Sequence, residues 1–247
     1  MRILLFYVLP FFFFFNLITG QEYEKNEENV LLFTKTAGFR HQSIEDGAAL
    51  IKRLGKENDF NVIHSEDSSI FNDDSLKNID LIIFLSTTGD ILNSEQEKAF
   101  KKFIHDKKAF LGVHAATDTE FEWEWYGKLV GAYFDNHPKT QTARLEVLDT
   151  SHPSCSHLPE VWNRTDEWYN FRDINPAIKV LINLDEMSYE GGKNGAEHPI
   201  AWFHLYKGSR VFYTGGGHTK ESYKEKNFIR HLLGGVLWCL KRSKTIE

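Results

Sequence analysis

Four short strand-like runs set the limits on what this chain can fold into. Residues 30–34 (VLLFT), 61–64 (NVIH), 80–85 (DLIIFL) and 109–113 (AFLGV) follow one another with a helix or short crossover between each pair. The first, third and fourth are apolar almost without a break. A strand with one wet face alternates apolar and polar side chains; an unbroken apolar strand belongs in a parallel sheet covered on both faces. The connecting segments fit that cover. Ser43 is placed to cap a helix, with Asp46 three residues on in a near capping box, and Ala48, Leu50, Ile51 and Leu54 fall on one side of that helix. Ser94 is expected to cap a second helix running to Ile104, with Glu97 as its capping acid and Phe100, Phe103 and Ile104 as its apolar face. The expected class is α/β, a parallel sheet with helices on both sides.

From Thr142 onward the texture changes. Residues 144–148, 162–170, 179–184, 200–206 and 210–214 are strand-like and linked by short turns, and Lys207-Gly208-Ser209 is a hairpin signal between the last two. The second half is therefore expected to add antiparallel or edge strands, and a final helix is expected over 223–240. No linker divides the chain, so 30–242 reads as a single domain.

The N-terminus stands apart. Arg2 precedes an apolar run from Ile3 to Phe15 that holds five consecutive phenylalanines. The run falls short of the roughly 20 apolar residues of a spanning helix. Residues 1–20 read as a signal peptide, with an uncleaved anchor as the alternative, and 21–29 as an acidic leader. The expected location is exported, periplasmic or extracellular, with no stable membrane insertion once the signal is cleaved. The formal net charge is −6, and losing Arg2 makes the mature chain more acidic still. With no basic run, nucleic acid and anionic membranes are not expected partners; a homo-oligomer is compatible with the sequence. Two cysteines, Cys155 and Cys239, permit a disulfide but do not make a framework.

Chemistry gathers in four loops after strands: 38–41 (GFRH), 112–119 (GVHAATDT), 165–169 (TDEWY) and 215–223 (GGGHTKESY). In an open, doubly wound α/β sheet the first, second and fourth of these loops open on the same carboxyl edge, where ligands bind. His41, His114 and His218 would converge there with Asp118, Asp166, Glu167 or Glu221. A histidine cluster near carboxylates suits proton transfer or ligation of a divalent metal. The absence of a compact H-x-x-x-H pair favours the metal-free use. Asp166 and Glu167 are adjacent on a strand and point to opposite faces, so one of them is expected to face the site. The triple glycine 215–217 matches neither a dinucleotide fingerprint nor a P-loop, which leaves close backbone approach as its use. Trp125, Tyr126, Trp168 and Tyr169 supply rings on which sugars stack. His137, His152 and His198 each precede proline and read as turn-forming.

Taken together, GFRHQSI (38–44), GVHAATDTEFEWEWYGKLVGAYFDNHP (112–138), DEWYNF (166–171), VFYTGGGHTKESY (211–223) and FIRHLLGGVLWC (228–239) resemble the ThuA family of trehalose-utilisation proteins. The resemblance covers nearly all of the chain beyond the leader. It implies a flavodoxin-like three-layer α/β/α sandwich similar to the class I glutamine amidotransferases. In those relatives a cysteine nucleophile sits at a strand-to-helix turn; here that turn holds His114, which excludes thiol chemistry there. It also implies a disaccharide or 3-keto-glycoside as the small-molecule partner. On this reading His114, His41, Glu167 and His218 are catalytic. Arg40, Asp118, Trp125, Tyr126, Asp166, Trp168, Tyr169 and Glu221 bind substrate. A non-catalytic sugar-binding protein is the alternative.

Overall fold

The computed structural model describes residues 28–242; the expected signal peptide and the leader up to residue 27 lie outside the described residues. Strands and helices alternate at first: β1 (Glu28–Phe33), α1 (Ile44–Glu57), β2 (Phe60–Ser65), α2 (Asp73–Leu76), β3 (Leu81–Leu85), α3 (Ser94–His105) and β4 (Ala109–Val113). Next come α4 (Glu124–Val130), β5 (Tyr133–Asn136), β6 (Gln141–Val147), β7 (Val161–Asp166), β8 (Asn170–Arg172) and β9 (Lys179–Asp185). The chain closes with β10 (Pro199–Tyr206), β11 (Ser209–Thr214) and α5 (Lys226–Cys239).

One nine-stranded sheet has the order β2-β1-β3-β4-β11-β10-β9-β6-β7, and β5 and β8 form a separate two-stranded ribbon. From β2 through β11 every neighbouring pair is parallel. From β11 through β7 every pair is antiparallel. The expected parallel core with added antiparallel strands is thus observed. β10 and β11 join through Lys207 and Gly208, both at positive φ (51° and 89°), as a tight hairpin requires.

Consecutive strand residues show both covered faces. Phe84 packs on Phe100 of α3 and Tyr126 of α4, whereas its neighbour Leu85 lies against Gly47 of α1. Phe212 lies against Gly235 of α5, whereas Tyr213 stacks on Trp202 over the other face. All five residues of β3 and of β4 are buried, each large side chain contributing about 1.5–3 kcal/mol.

Two helix starts differ from expectation. The α3 cap is Asn93, one residue before Ser94, in a capping box with Gln96 rather than Glu97. Asn93 accepts from two backbone N–H groups, a stronger arrangement than serine offers at the next position. Ser43 precedes α1, but its hydroxyl donates to the Gly217 carbonyl (3.0 Å) instead of capping the helix. That bond ties α1 to the loop after β11. Cys155 and Cys239 are buried and unpaired. Among the described residues no helix is long and apolar enough to cross a membrane.

Candidate functional site

β1, β4 and β11 run in the same direction, and β7, three antiparallel steps beyond β10, points the same way as β11. Their carboxyl ends therefore share one edge of the sheet. Each delivers a functional side chain there.

His114 leaves β4 at φ 50°, a left-handed conformation that costs a non-glycine residue about 1–3 kcal/mol. The turn aims the imidazole back over the sheet edge. There Nδ1 lies 2.9 Å from the Gly215 carbonyl, and the Tyr169 ring lies 4.3 Å from the imidazole. His41 ends the loop after β1. That loop is pinned by the Ala37 N–H donating to the Thr88 carbonyl (2.7 Å) and by the Thr88 hydroxyl donating to the Phe39 carbonyl (2.8 Å). The His41 ring stands almost perpendicular to His114 and His218, with centroids 4.8 and 5.2 Å away.

His218 is placed by Asp166. That buried carboxylate accepts from the backbone N–H groups of Gly217 (2.8 Å) and His218 (3.1 Å) and from the Ser222 hydroxyl (3.0 Å). Its own charge is met by Arg164 (3.1 Å), which also pairs with Glu225 (3.0 Å). The triple glycine is the clearance for this support: a Cβ on Gly216 would lie 2.3 Å from the Arg164 guanidinium. Close backbone approach, rather than a phosphate cradle, is what the glycines serve.

Glu167 lies at the centre. Its Oε2 is 3.1 Å from His218 Nδ1 and 3.5 Å from His114 Nε2, and its Oε1 is 3.0 Å from His137 Nδ1. His218 Nδ1 and His114 Nε2 are 3.3 Å apart. One donor atom from each of His41, His114, Glu167 and His218 falls within 4.8 Å of all the others. Burial works to raise the Glu167 pKa, but hydrogen bonds and charge from His114 and His218 outweigh it and hold the carboxyl well below the usual range. The same contact outweighs burial at His218 and raises its pKa. Burial, reinforced by His114 and His218, lowers His41 to about 3 and keeps its ring neutral. Burial raises Asp118 to about 6, partly offset by His114 and His137.

The profile of the ThuA family, described as trehalose utilisation, matches residues 29–239. The chain belongs to the ThuA family. Two solved ThuA-like proteins share its fold. One, from Bacteroides uniformis, is 21% identical with a TM-score of 0.76, over 91% of this chain and 96% of that one. The other, from Parabacteroides merdae, is 18% identical with a TM-score of 0.74, over 90% and 92%. A Thermoplasma acidophilum protein assigned to GMP synthase matches at 11% identity and a TM-score of 0.53, over 87% and 95%, in line with the amidotransferase-type fold. No curated protein matches the chain by sequence. Membership of ThuA points to a carbohydrate-related role.

Among the expected substrate-binding residues of this ThuA protein, Asp118 and Tyr169 adjoin the cluster's side chains and Asp166 holds the His218 main chain; the others lie apart from it. Tyr126 is fully buried between Phe84 and Phe110, its hydroxyl spent on the Ala116 carbonyl. Trp168 is fully buried and its indole donates to the Gln141 carbonyl. Trp125 packs on Phe100, Trp123 and Tyr206 in the helical layer. Tyr126 and Trp168 are core residues with no face for a ligand, and the half-buried Trp125 covers the core from α4, away from the cluster. Asp166 supports the glycine loop from beneath. Arg40 is exposed and paired with Glu45 and Glu66, and Glu221 is exposed on the turn before α5.

Two further residues belong to the site although the sequence does not single them out. His137, which reads as turn-forming, holds Glu167. Its one signal is its place in the longest of the family-like segments, 112–138. Phe39 is 64% exposed with its ring 4.9 Å from His41, an apolar platform at the mouth.

Proposed function

We propose that this ThuA protein is an exported enzyme that acts on a 3-keto-glycoside by proton transfer. The observation that carries the reading is the His137–Glu167 pair at the rim of the histidine cluster. His114 is fully buried and His41 is 3% exposed, so neither has a face for a substrate. His137 is well exposed, and its Nδ1–H is shared between Glu167 (3.0 Å) and the Pro138 carbonyl (2.9 Å), which frees Nε2 as a base. The roles expected of His114 and His41 therefore pass to the rim, and the buried rings act from behind.

In a 3-keto-glycoside the C2 proton is acidified by the neighbouring ketone. His137 takes that proton, and negative charge develops on the ketone oxygen as an enolate, facing the electropositive side of His218. The C2 electron pair then forms the C1=C2 double bond as the C1–O glycosidic bond breaks. The departing oxygen takes a proton from Asp118, whose raised pKa keeps part of it protonated near neutrality. Phe39 and Tyr169 supply apolar surface for the sugar ring. The family's link to trehalose utilisation supports a carbohydrate substrate, and the apolar N-terminal run supports export.

Turnover of a panel of glycosides and their 3-keto derivatives, read by mass spectrometry, tests this. A substrate should be found whose rate falls by about a hundredfold in His137→Ala. Wild-type rates in that variant overturn the assignment. A sugar that binds with saturable heat and is recovered unchanged makes the protein a binding module instead.

A further inference from the structure

We propose that His41, His114, Glu167 and His218 hold a divalent transition-metal ion, the electrophile of the site; the ion's catalytic use rests on the function proposed above, but its binding does not. Three donor atoms, His114 Nε2, His218 Nδ1 and Glu167 Oε2, form a nearly equilateral triangle with edges of 3.1–3.5 Å. Donors about 2.0–2.1 Å from a tetrahedral zinc ion are separated by about 3.3 Å. A His41 nitrogen completes a set no more than 4.8 Å across.

The proton positions leave a gap that a cation fills. The Gly215 carbonyl only accepts, so His114 Nδ1 carries the proton on that side, and Nε2 of the neutral ring is a bare lone pair. That lone pair faces Glu167 Oε2, which is also only an acceptor when ionised. The Nδ1–H of His218 can satisfy one of these two atoms but not both. Meanwhile His41 Nδ1 is buried with no hydrogen-bond partner, an unmet polar group that costs about 1–3 kcal/mol. The nearby arginines do not supply the missing charge: Arg40 is paired with Glu45 and Glu66, and Arg164 with Asp166 and Glu225.

Three imidazoles and one carboxylate suit zinc and its first-row neighbours. The outer partners of a metal centre are also present. Gly215 fixes the tautomer of His114, and His137 holds the second oxygen of Glu167. Two fully shielded histidines, useless to a substrate, are well suited to an ion. His218 is the ligand nearest solvent, so an ion held by all four donors would take a fifth, substrate oxygen from the mouth side.

The test uses the full, untagged chain. After stripping with chelator, it is dialysed against zinc, manganese and nickel chlorides in turn, and metal is counted by mass spectrometry. About one equivalent per chain should be retained for at least one ion, falling about tenfold or more in His218→Ala and in Glu167→Gln. Cobalt added to the stripped wild type should give visible ligand-field bands that both variants lose. His218 is partly exposed, so circular dichroism of His218→Ala should match wild type and separate lost ligation from lost fold. Retention of less than about a tenth of an equivalent of every ion by folded wild type overturns the site, as does uptake unchanged in both variants. Bound metal without sugar turnover supports the site and sinks the function proposed above; chelator-resistant turnover without metal does the reverse.

Discussion

At the scale of single residues, the site depends on side chains that never touch a substrate. Gly216 shows this most sharply. Its missing Cβ leaves room for the Arg164 guanidinium, which would otherwise lie 2.3 Å away. Arg164 has nowhere to retreat, being buried between Asp166, Ser222 and Glu225. Gly216→Ala should therefore cost about 1–3 kcal/mol, read as a melting temperature lower by about 2–4 °C for each kcal/mol in a chain of this size. A melting point within about 1 °C of wild type would show that the loop yields freely. The three strand-end histidines were legible in sequence because β4 and β11 announce themselves and each histidine follows within a few residues. Glu167 was legible as one of two adjacent carboxylates. His137 was not, because nothing local distinguishes a histidine that starts a turn from one that reaches a carboxylate 30 residues on. The burial of Tyr126 and Trp168 was equally hidden: an aromatic residue's neighbours are set by tertiary packing, and its identity is the same in a core and in a cleft.

At the scale of elements, β7 and the loop after β11 act as one unit joined through Asp166. This carboxylate gathers three backbone N–H groups (Glu167, Gly217 and His218), a hydroxyl and a guanidinium, so His218 is held by a bond to its own main chain. Asp166→Asn keeps the shape but turns an amide NH2 toward donors and leaves Arg164 with Glu225 as its remaining carboxylate partner. Breaking one half of a buried pair costs about 3–5 kcal/mol, and the surviving Glu225 contact places this case near the low end. The variant should lose metal retention and turnover together although Asp166 reaches only the main chain of His218 and no ligating atom; unchanged behaviour in both would remove Asp166 from the positioning role. The inner parallel strands β1, β3 and β4 were legible because burial on both faces forces a continuous apolar run. α4 and the β5–β8 ribbon were not. Seven residues of helix rich in aromatics and a three-residue strand carry too few periods to stand out.

At the scale of the whole molecule, the distribution of buried histidines sets how the fold responds to acid. Away from the site, burial lowers His152 to about 4, His204 to about 4 and His231 to about 3. Each takes up a proton near pH 6.5 when unfolded but stays neutral in the fold, so below that pH the unfolded chain binds more protons and stability falls as pH falls. Glu120 acts in the opposite sense. Burial, against bonds from the Ile91 and Leu92 N–H groups, raises it to about 7. Between about pH 7 and 4.5 the folded form holds a proton that the unfolded form has lost, and acid adds stability. With His41 and Asp118 of the site, which act in these two senses, four protons against two leave a net of about two, a loss approaching 3 kcal/mol per pH unit between about pH 6 and 5. Urea unfolding followed by circular dichroism at pH 7.5, 6 and 5 should show that decline. His231→Asn places a donor where Nδ1 meets the Ser154 carbonyl but cannot titrate, and it should make the decline shallower by about one proton, near 1.4 kcal/mol per pH unit. Glu120→Gln retains an acceptor for Ile91 and Leu92 but removes the opposing proton, so it should steepen the decline by the same amount. A wild-type stability that stays flat from pH 7.5 to 5, or two variants that shift the slope in the same direction, would mean that the buried histidines open to water before the fold is lost.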